Sequence, residues 1–261
     1  MILNRLKQQA KEIIAEEQAG FVKGRSTVEQ IFNLRSIIEK YQEHQLELYH
    51  VFIDFKKAFD RVWHEALWAT MNQYNINKTL ISLIEELYNQ ATSSVYLEGD
   101  FGDWFRTTVG VRQGCLLSPT LFNVFLERIM TDALEGHDAT VSIGGRTVSN
   151  LRFADDIDGL AGSEAELSQL VQRLNTSCSS FGISAEKTKI MTNTHANGLR
   201  NDIVINGSTL QHVNQFIYLG AIVTDNSSRS EILSRMAKAQ ISLSKIKKCL
   251  GRQEFLNIFK N

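Results

Sequence analysis

Two places in this chain join an apolar run directly to carboxylates. One is VFIDFKKAFD, with Asp54 closing the run and Asp60 a little further on. The other is FADD, where Asp155 and Asp156 sit between two apolar stretches. Adjacent carboxylates raise each other's pKa and are costly to keep ionised together near neutral pH. A divalent cation offsets that cost. Mg²⁺ favours carboxylate oxygens, keeps several waters and is usually completed by substrate phosphates. Two such ions about 3.5–4 Å apart can activate an attacking hydroxyl and stabilise a departing pyrophosphate. These two segments therefore suit two-metal phosphoryl transfer. Taken singly, an Asp-Asp turn is also what a solvated turn looks like. A third segment, GVRQGCLLSPTLFN at 110–123, brings Gly110 and Gly114 ahead of a proline-started helix.

The carboxylates need elements to carry them. YHVFID, 49–54, reads as a short apolar strand ending in an acid, and NLRFADDIDGLAG, 150–162, as strand, acidic turn, strand. Ser26-x-x-Glu29 is a capping box opening a helix whose apolar face would be Val28, Ile31, Phe32, Leu34, Ile38 and Tyr41. Residues 2–17, 63–74 and 77–91 also read as helices, the last started by Asn77. SSVYLEG with DWFRTTVG, 93–99 and 103–110, predicts a hairpin. VSIGGRTVSN predicts another, turning at Gly144-Gly145. Ser118 as N-cap, with Pro119 in the first turn, predicts a helix to about Glu135. Ser163-x-x-Glu166 caps a further helix with Leu167, Leu170, Val171, Leu174 and Cys178 on one face, stopping near Gly182. Short strands near 188–192, 203–205 and 215–219 and a helix from about 229 to 250 complete the series. The expected fold class is α+β: an antiparallel sheet carrying Asp54 and the Asp155–Asp156 turn, with helices packed on one face.

Length and composition bound the alternatives. The 261 residues, 43% hydrophobic and 22% charged, suffice for one large domain or two small ones with a real core. Lys and Arg total 28 against 29 Asp and Glu, a formal charge of −1, which excludes a uniformly basic nucleic-acid coat but not a local basic groove. The imbalance is local: from Arg229 to Asn261 the net charge is about +6. Cys115, Cys178 and Cys249 are too few and too scattered for a disulfide framework or a zinc-ligand pair. No apolar run is long enough to span a membrane, and the N-terminus has no apolar signal core, so an intracellular, soluble protein with no membrane partner is expected.

Six segments together resemble the reverse transcriptase domain of non-long-terminal-repeat retrotransposons. In order they are QAGFVKGRSTVEQIF (18–32), VFIDFKKAFDRV (51–62), GVRQGCLLSPTLFN (110–123), LRFADDIDGLAG (151–162), ISAEKTKIM (183–191) and FIYLGAIV (216–223). The resemblance implies a right-hand polymerase palm with partial fingers over 1–50, the palm over 51–225, and the start of a thumb or a truncated C-terminal helix over 226–261. It implies RNA-directed DNA polymerisation with Mg²⁺, or Mn²⁺ in its place, acting on an RNA template, a DNA primer and dNTPs. By resemblance Asp54 and Asp155 are the principal metal ligands, with Asp156 as ligand or orienter and Phe55 offering its backbone carbonyl. Lys187 matches a lysine near the pyrophosphate, a general acid. Arg25 and Lys23 would meet the triphosphate, Gln113 and Gly114 the template and nascent base pair. Phe59 would exclude a ribose 2′-hydroxyl. Tyr218, Leu219 and Gly220 match the loop gripping the primer 3′ end. Asp60 suits a structural role as readily as catalysis, and Asp158 reads as a polar strand residue.

The chain departs from the family pattern in places. Val22 stands where the family often has Arg. The earliest fingers segment and most of a thumb are expected to be missing, with a slight shortening at Gly182–Ile183. Two rival readings are a non-catalytic nucleic-acid-binding remnant of such a domain and a different palm enzyme, such as an RNA-templated RNA polymerase or a nucleotide cyclase.

Overall fold

The computed structural model describes residues 1–55, 57–180, 185–193, 201–205, 207–224 and 229–250. Two helices, α1 (Ile2–Ile13) and α2 (Thr27–Glu43), precede the strand β1 (Tyr49–Phe55). A 3-10 turn at Ala58–Arg61 leads into α3 (His64–Gln73) and α4 (Lys78–Asn89). Next, β2 (Thr92–Ser93) pairs with β5 (Phe105–Arg106), and between them β3 (Tyr96–Leu97) pairs with β4 (Asp100–Phe101). The chain continues through α5 (Ser118–Leu134), the hairpin β6 (Ser142–Ile143) to β7 (Arg146–Thr147), β8 (Asn150–Phe153), β9 (Asp156–Ala161) and α6 (Glu164–Ser180). It closes with β10 (Ala185–Thr192), the short β11 (Val204–Ile205), β12 (Ser208–Thr209) and β13 (Gln211–His212), the hairpin β14 (Gln215–Tyr218) to β15 (Ala221–Thr224), and α7 (Arg229–Leu250). The Gly182–Ile183 junction and the tail residues Arg252, Glu254 and Lys260 lie outside the described residues.

Five strands form the central sheet in the order β13-β10-β1-β9-β8. All pairings are antiparallel except β10 with β13, so the expected antiparallel sheet gains one short parallel edge. Side chains alternate along β1. Tyr49, Val51, Ile53 and Phe55 enter one core with residues of α1, α3, α4, α5 and α6, among them Leu6, Leu67, Ile84, Phe125 and Leu170. Phe52 enters a second core on the other face. There Leu34, Ile37, Ile38 and Tyr41 of α2, with Tyr218 and Val223 of the β14–β15 hairpin, cover Phe52, Leu151, Leu160 and Met191. The expectation of helices on one face is therefore corrected. The strands carry apolar residues at both parities, and the second set also needs cover.

Local signals explain most boundaries. Ser26 Oγ accepts from the Glu29 N–H at 3.2 Å and starts α2. The buried stripe of that helix is rotated from the expected one: Val28 and Phe32 are 74% and 68% exposed, while Gln30 and Ile37 are buried. The cause is Gln30, whose Nε2 donates to the carbonyls of Glu17 (2.6 Å) and Arg152 (2.9 Å) and turns its side of the helix inward. α5 starts one residue earlier than expected, because Ser118 Oγ donates to the Arg112 carbonyl (2.6 Å) instead of capping. The first hairpin turns at Glu98-Gly99, where both residues take positive φ, rather than after Gly99. Ser163 caps α6, and the expected face Leu167, Leu170, Val171, Leu174 and Cys178 is buried. Among the described residues no helix is long and apolar enough to cross a membrane.

The rotated stripe on α2 makes a paired expectation. Leu34→Ala, at a fully buried position, should lower unfolding free energy in urea by about 2–5 kcal/mol. Phe32→Ala should change it by less than about 0.5 kcal/mol. The reverse order would mean that α2 packs by its simple hydrophobic periodicity.

Candidate active site

The register of the central strands brings the acids together. Ile53 of β1 pairs with Ile157 of β9, so Asp54 and Asp156 lie side by side at the next position, on the face opposite the larger helical layer. Asp155 occupies the turn between β8 and β9, next to Ala154 with φ +56. On the other side of β1, Phe52 pairs with Lys189 but Asp54 with Glu186, so Lys187 and Thr188 both stand against Ile53. This is a β-bulge, a device that re-aims side chains at the end of a ladder. Lys187 sits in it, exposed, with φ +54.

The electrostatics report the same convergence. The Asp156 carboxyl is pushed up to about 6, first by desolvation, then by Asp155 and then by Asp54. Asp155 is also raised, chiefly by desolvation, with Asp54 adding and a backbone hydrogen bond opposing. Among the described residues no basic side chain contributes to either shift. Among the described residues no three His, Cys, Asp or Glu side chains are gathered tightly enough to cage an ion unaided. An open group of carboxylates, two of them raised by a neighbour's charge, nevertheless fits a hard divalent ion. Mg²⁺ is usually held by one or two carboxylates, waters and substrate phosphates rather than by a closed protein cage. Phe55 is buried at the end of β1, so only its backbone is available there.

A groove of about 580 Å³ is lined in part by Phe21, Phe59, Gln113, Gly114, Cys115 and Leu116. Phe59 stacks on Phe122 with ring centroids 4.6 Å apart and meets Phe21 edge-on at 6.2 Å. The ring is thereby packed against both. Gln113 is exposed, and its Nε2 donates to Asp60 Oδ1 at 3.2 Å. The Val111 N–H donates to the Phe59 carbonyl at 2.7 Å, and Gly110 lies against the Asp60 backbone, where a Cβ would approach to 3.0 Å. Asp60 thus fastens the glycine loop to the end of β1, the structural role. Gly114 takes φ +83 with open space around it.

The remaining expected residues are placed less directly. Arg25 Nη1 donates to the carbonyls of Ala15 (2.7 Å) and Gln18 (2.5 Å), which commits part of its guanidinium to holding the chain turn after α1. Lys23 is exposed beside Gly24. Tyr218 is buried, and its hydroxyl donates to the Leu151 carbonyl at 3.4 Å. Desolvation holds that hydroxyl's pKa far above the usual phenol, with Asp158 and Asp156 adding. Leu219 and Gly220 form the two positive-φ positions of the β14–β15 turn, at +50 and +82. Asp158 is fully buried rather than merely polar, against His50 Nδ1 at 3.1 Å, and burial raises its carboxyl while His50 lowers it.

Sequence reasoning missed a group that braces the acidic turn. The Gln18 carboxamide bonds both backbone groups of Ala154. Asn123 Nδ2 donates to the Gly20 carbonyl at 2.8 Å. Arg152, 2% exposed, pairs with the buried Glu127 at 3.1 Å. The Gln18 and Asn123 contacts join residues over a hundred positions apart. The one local hint is the glycine of QAG, which a close backbone approach requires.

Comparison with known proteins agrees with this arrangement. The family profile described as reverse transcriptase (RNA-dependent DNA polymerase) matches residues 1–223. The chain belongs to the reverse transcriptase family. It is 27% identical over 233 residues to the RNA-directed DNA polymerase from mobile element jockey of Drosophila funebris, covering 85% of this chain and 25% of that protein. It is 25% identical over 224 residues to the Pol polyprotein from the type-1 retrotransposable element R2 of Nasonia vitripennis, covering 80% and 22%. The chain thus spans about a quarter of the length of these relatives. Apo telomerase from Candida tropicalis, truncated from its C-terminal domain, superposes with a TM-score of 0.63 at 17% identity, over 85% of this chain and 43% of that one. The fold is accordingly the right-hand polymerase palm, mixed α and β.

The raised Asp156 sets a pH dependence. Its folded value, about 6, lies above the ordinary 3.8, so the folded state binds more protons than the unfolded state between those values. Stability from this group is therefore lost as pH rises through that window. In metal-free buffer, Asp156→Asn should melt higher than the parent at pH 7, with the difference vanishing below about pH 4. Equal melting temperatures across the range, measured by circular dichroism, would contradict the shift.

Proposed function

We infer that this chain carries the catalytic core of an RNA-directed DNA polymerase. The observation that supports this most is the meeting of Asp54 with Asp155 and Asp156 at the adjoining ends of β1 and β9. Asp54, Asp155 and Asp156, with the Phe55 carbonyl, would hold Mg²⁺, or Mn²⁺ in its place. Bound there, the metal supplies charge that activates a primer hydroxyl and stabilises the pyrophosphate leaving group. The reaction joins the primer 3′ oxygen to the α-phosphorus of a dNTP paired to an RNA template, and releases pyrophosphate. Lys187, exposed at the bulge in the strand beside Asp54, would give a proton to the pyrophosphate. Lys23, with the uncommitted part of the Arg25 guanidinium, would meet the triphosphate. Gln113 and Gly114 would contact the nascent pair from the groove. At the β14–β15 turn the backbone of Leu219 and Gly220 would touch the primer, with Tyr218 anchoring the turn from within. Residues 1–50 would be part of the fingers, 51–225 the palm, and α7, whose Leu233, Met236 and Leu243 are exposed, the start of a thumb.

Primer extension on a homopolymer RNA template tests the reading. Incorporation should require a divalent cation, and Asp155→Asn should lower it at least about 10²-fold, roughly 3 kcal/mol of barrier. Incorporation that survives the substitution would sink the assignment of the acids. Phe59, held between Phe122 and Phe21, would exclude ribonucleotides sterically. An apolar pocket that merely tolerates a hydroxyl discriminates only about 10²-fold. Phe59→Ala should raise kcat/KM for ribonucleotides relative to deoxynucleotides at least about tenfold. An unchanged ratio in folded enzyme would mark Phe59 as core only.

A further inference from the structure

The turn that carries the acids holds a non-glycine residue in the left-handed region, where L side chains clash with their own backbone. Ala154 has φ +56. Its N–H donates to Gln18 Oε1 at 2.8 Å, and Gln18 Nε2 donates to its carbonyl at 3.2 Å. One side-chain amide, from 136 residues away, thus serves both backbone groups of that residue. Gln18 is 1% exposed, and its Oε1 also accepts from the Gly20 N–H at 2.7 Å.

The carboxamide is itself fixed. The Ala19 N–H donates to the Arg152 carbonyl (2.8 Å) and the Arg152 N–H to the Glu17 carbonyl (2.9 Å), so residues 17–19 run beside β8 as a further parallel partner. Gln30, Arg25 and Asn123 tie down the carbonyls of Glu17, Gln18 and Gly20. At Gly20 a Cβ would stand 2.1 Å from the Ala154 nitrogen, so the approach is open only to glycine.

We propose that Gln18 is a positioning residue for the metal-binding acids. Its carboxamide holds the left-handed kink at Ala154 from which Asp155 and Asp156 meet Asp54. The proposal rests on the reading of these carboxylates as metal ligands. The job needs a donor and an acceptor on one planar group. Methionine has the length of glutamine but neither function. Glutamate can accept from the two N–H groups but cannot donate to the Ala154 carbonyl. Residues that orient metal ligands from behind typically change affinity about 10–100-fold when altered.

The test measures amide exchange and the binding of Mn²⁺ alone, by electron paramagnetic resonance, in the full chain. In Gln18→Met, exchange at residues 153–156 should quicken at least about tenfold while β1 amides stay protected, and Mn²⁺ affinity should fall about 10–100-fold. Gln18→Glu should fall between that variant and the parent. Adding Ala154→Gly to Gln18→Met should recover several-fold of the lost affinity, because glycine takes positive φ without a side-chain clash. A role in bulk packing alone would quicken β1 exchange too and show no such rescue. Unchanged exchange at 153–156 in either Gln18 variant overturns the proposal, and Gln18→Glu decides it if the methionine variant does not fold. A parent chain that takes up no Mn²⁺ would remove the metal reading, while exchange at 153–156 would still decide whether Gln18 holds the turn.

Discussion

Like charge held in one place is the constraint on which this structure turns. The Asp54 charge raises the proton affinity of Asp155 and of Asp156, Asp155 raises that of Asp156 further, and no basic side chain among the described residues offsets either shift. A pliable loop would let such groups swing apart into water. Here Asp54 lies near the end of the middle strand of a five-stranded sheet, Asp156 begins the adjoining strand and Asp155 sits in the tight turn before it. The sheet is in turn held between two apolar layers. The free energy that keeps the carboxylates together therefore comes from distant burial, in residues such as Phe125, Leu170 and Phe52.

The two layers have different duties. The larger one, built on α5 and α6, is fully sequestered and gives the sheet its stiffness. The smaller one, made by α2 and the β14–β15 hairpin, lies on the acids' own face. It brings Tyr218 near Asp156 and Asp158, and through Gln30 it fastens α2 to the segment leading into Gly20. Elements drawn from both ends of the chain thus border the same few carboxylates.

The acids, the strands carrying them and the order of helices were legible in the sequence because each rests on a local signal. Alternation gives β1, capping residues start α2 and α6, and an Asp-Asp pair marks the turn. What was not legible depends on contacts between distant residues. Val28 and Phe32 fit the helical period of α2 yet face solvent, since Gln30 turns inward to reach Arg152. Asp158 looks like an ordinary polar strand residue, yet it is buried against His50. Arg25 and Asp60 carry charges that suggested ligands, and hydrogen bonding gives both a share in holding loops. The six-segment resemblance supplied what local physics could not: which acids belong together.

The strip formed by residues 17–19 along β8 also bears on solubility. An uncovered outer strand offers a row of unpaired amides and carbonyls to any other extended chain, and that is a common start of aggregation. Here the β8 side of the sheet is already paired with its own polypeptide through Gln18, Ala19 and Arg152. The opposite side ends in β13, a strand of only two residues. On both borders part of the outer hydrogen-bonding row is thus taken up by the chain itself, which leaves less of it open to a second copy.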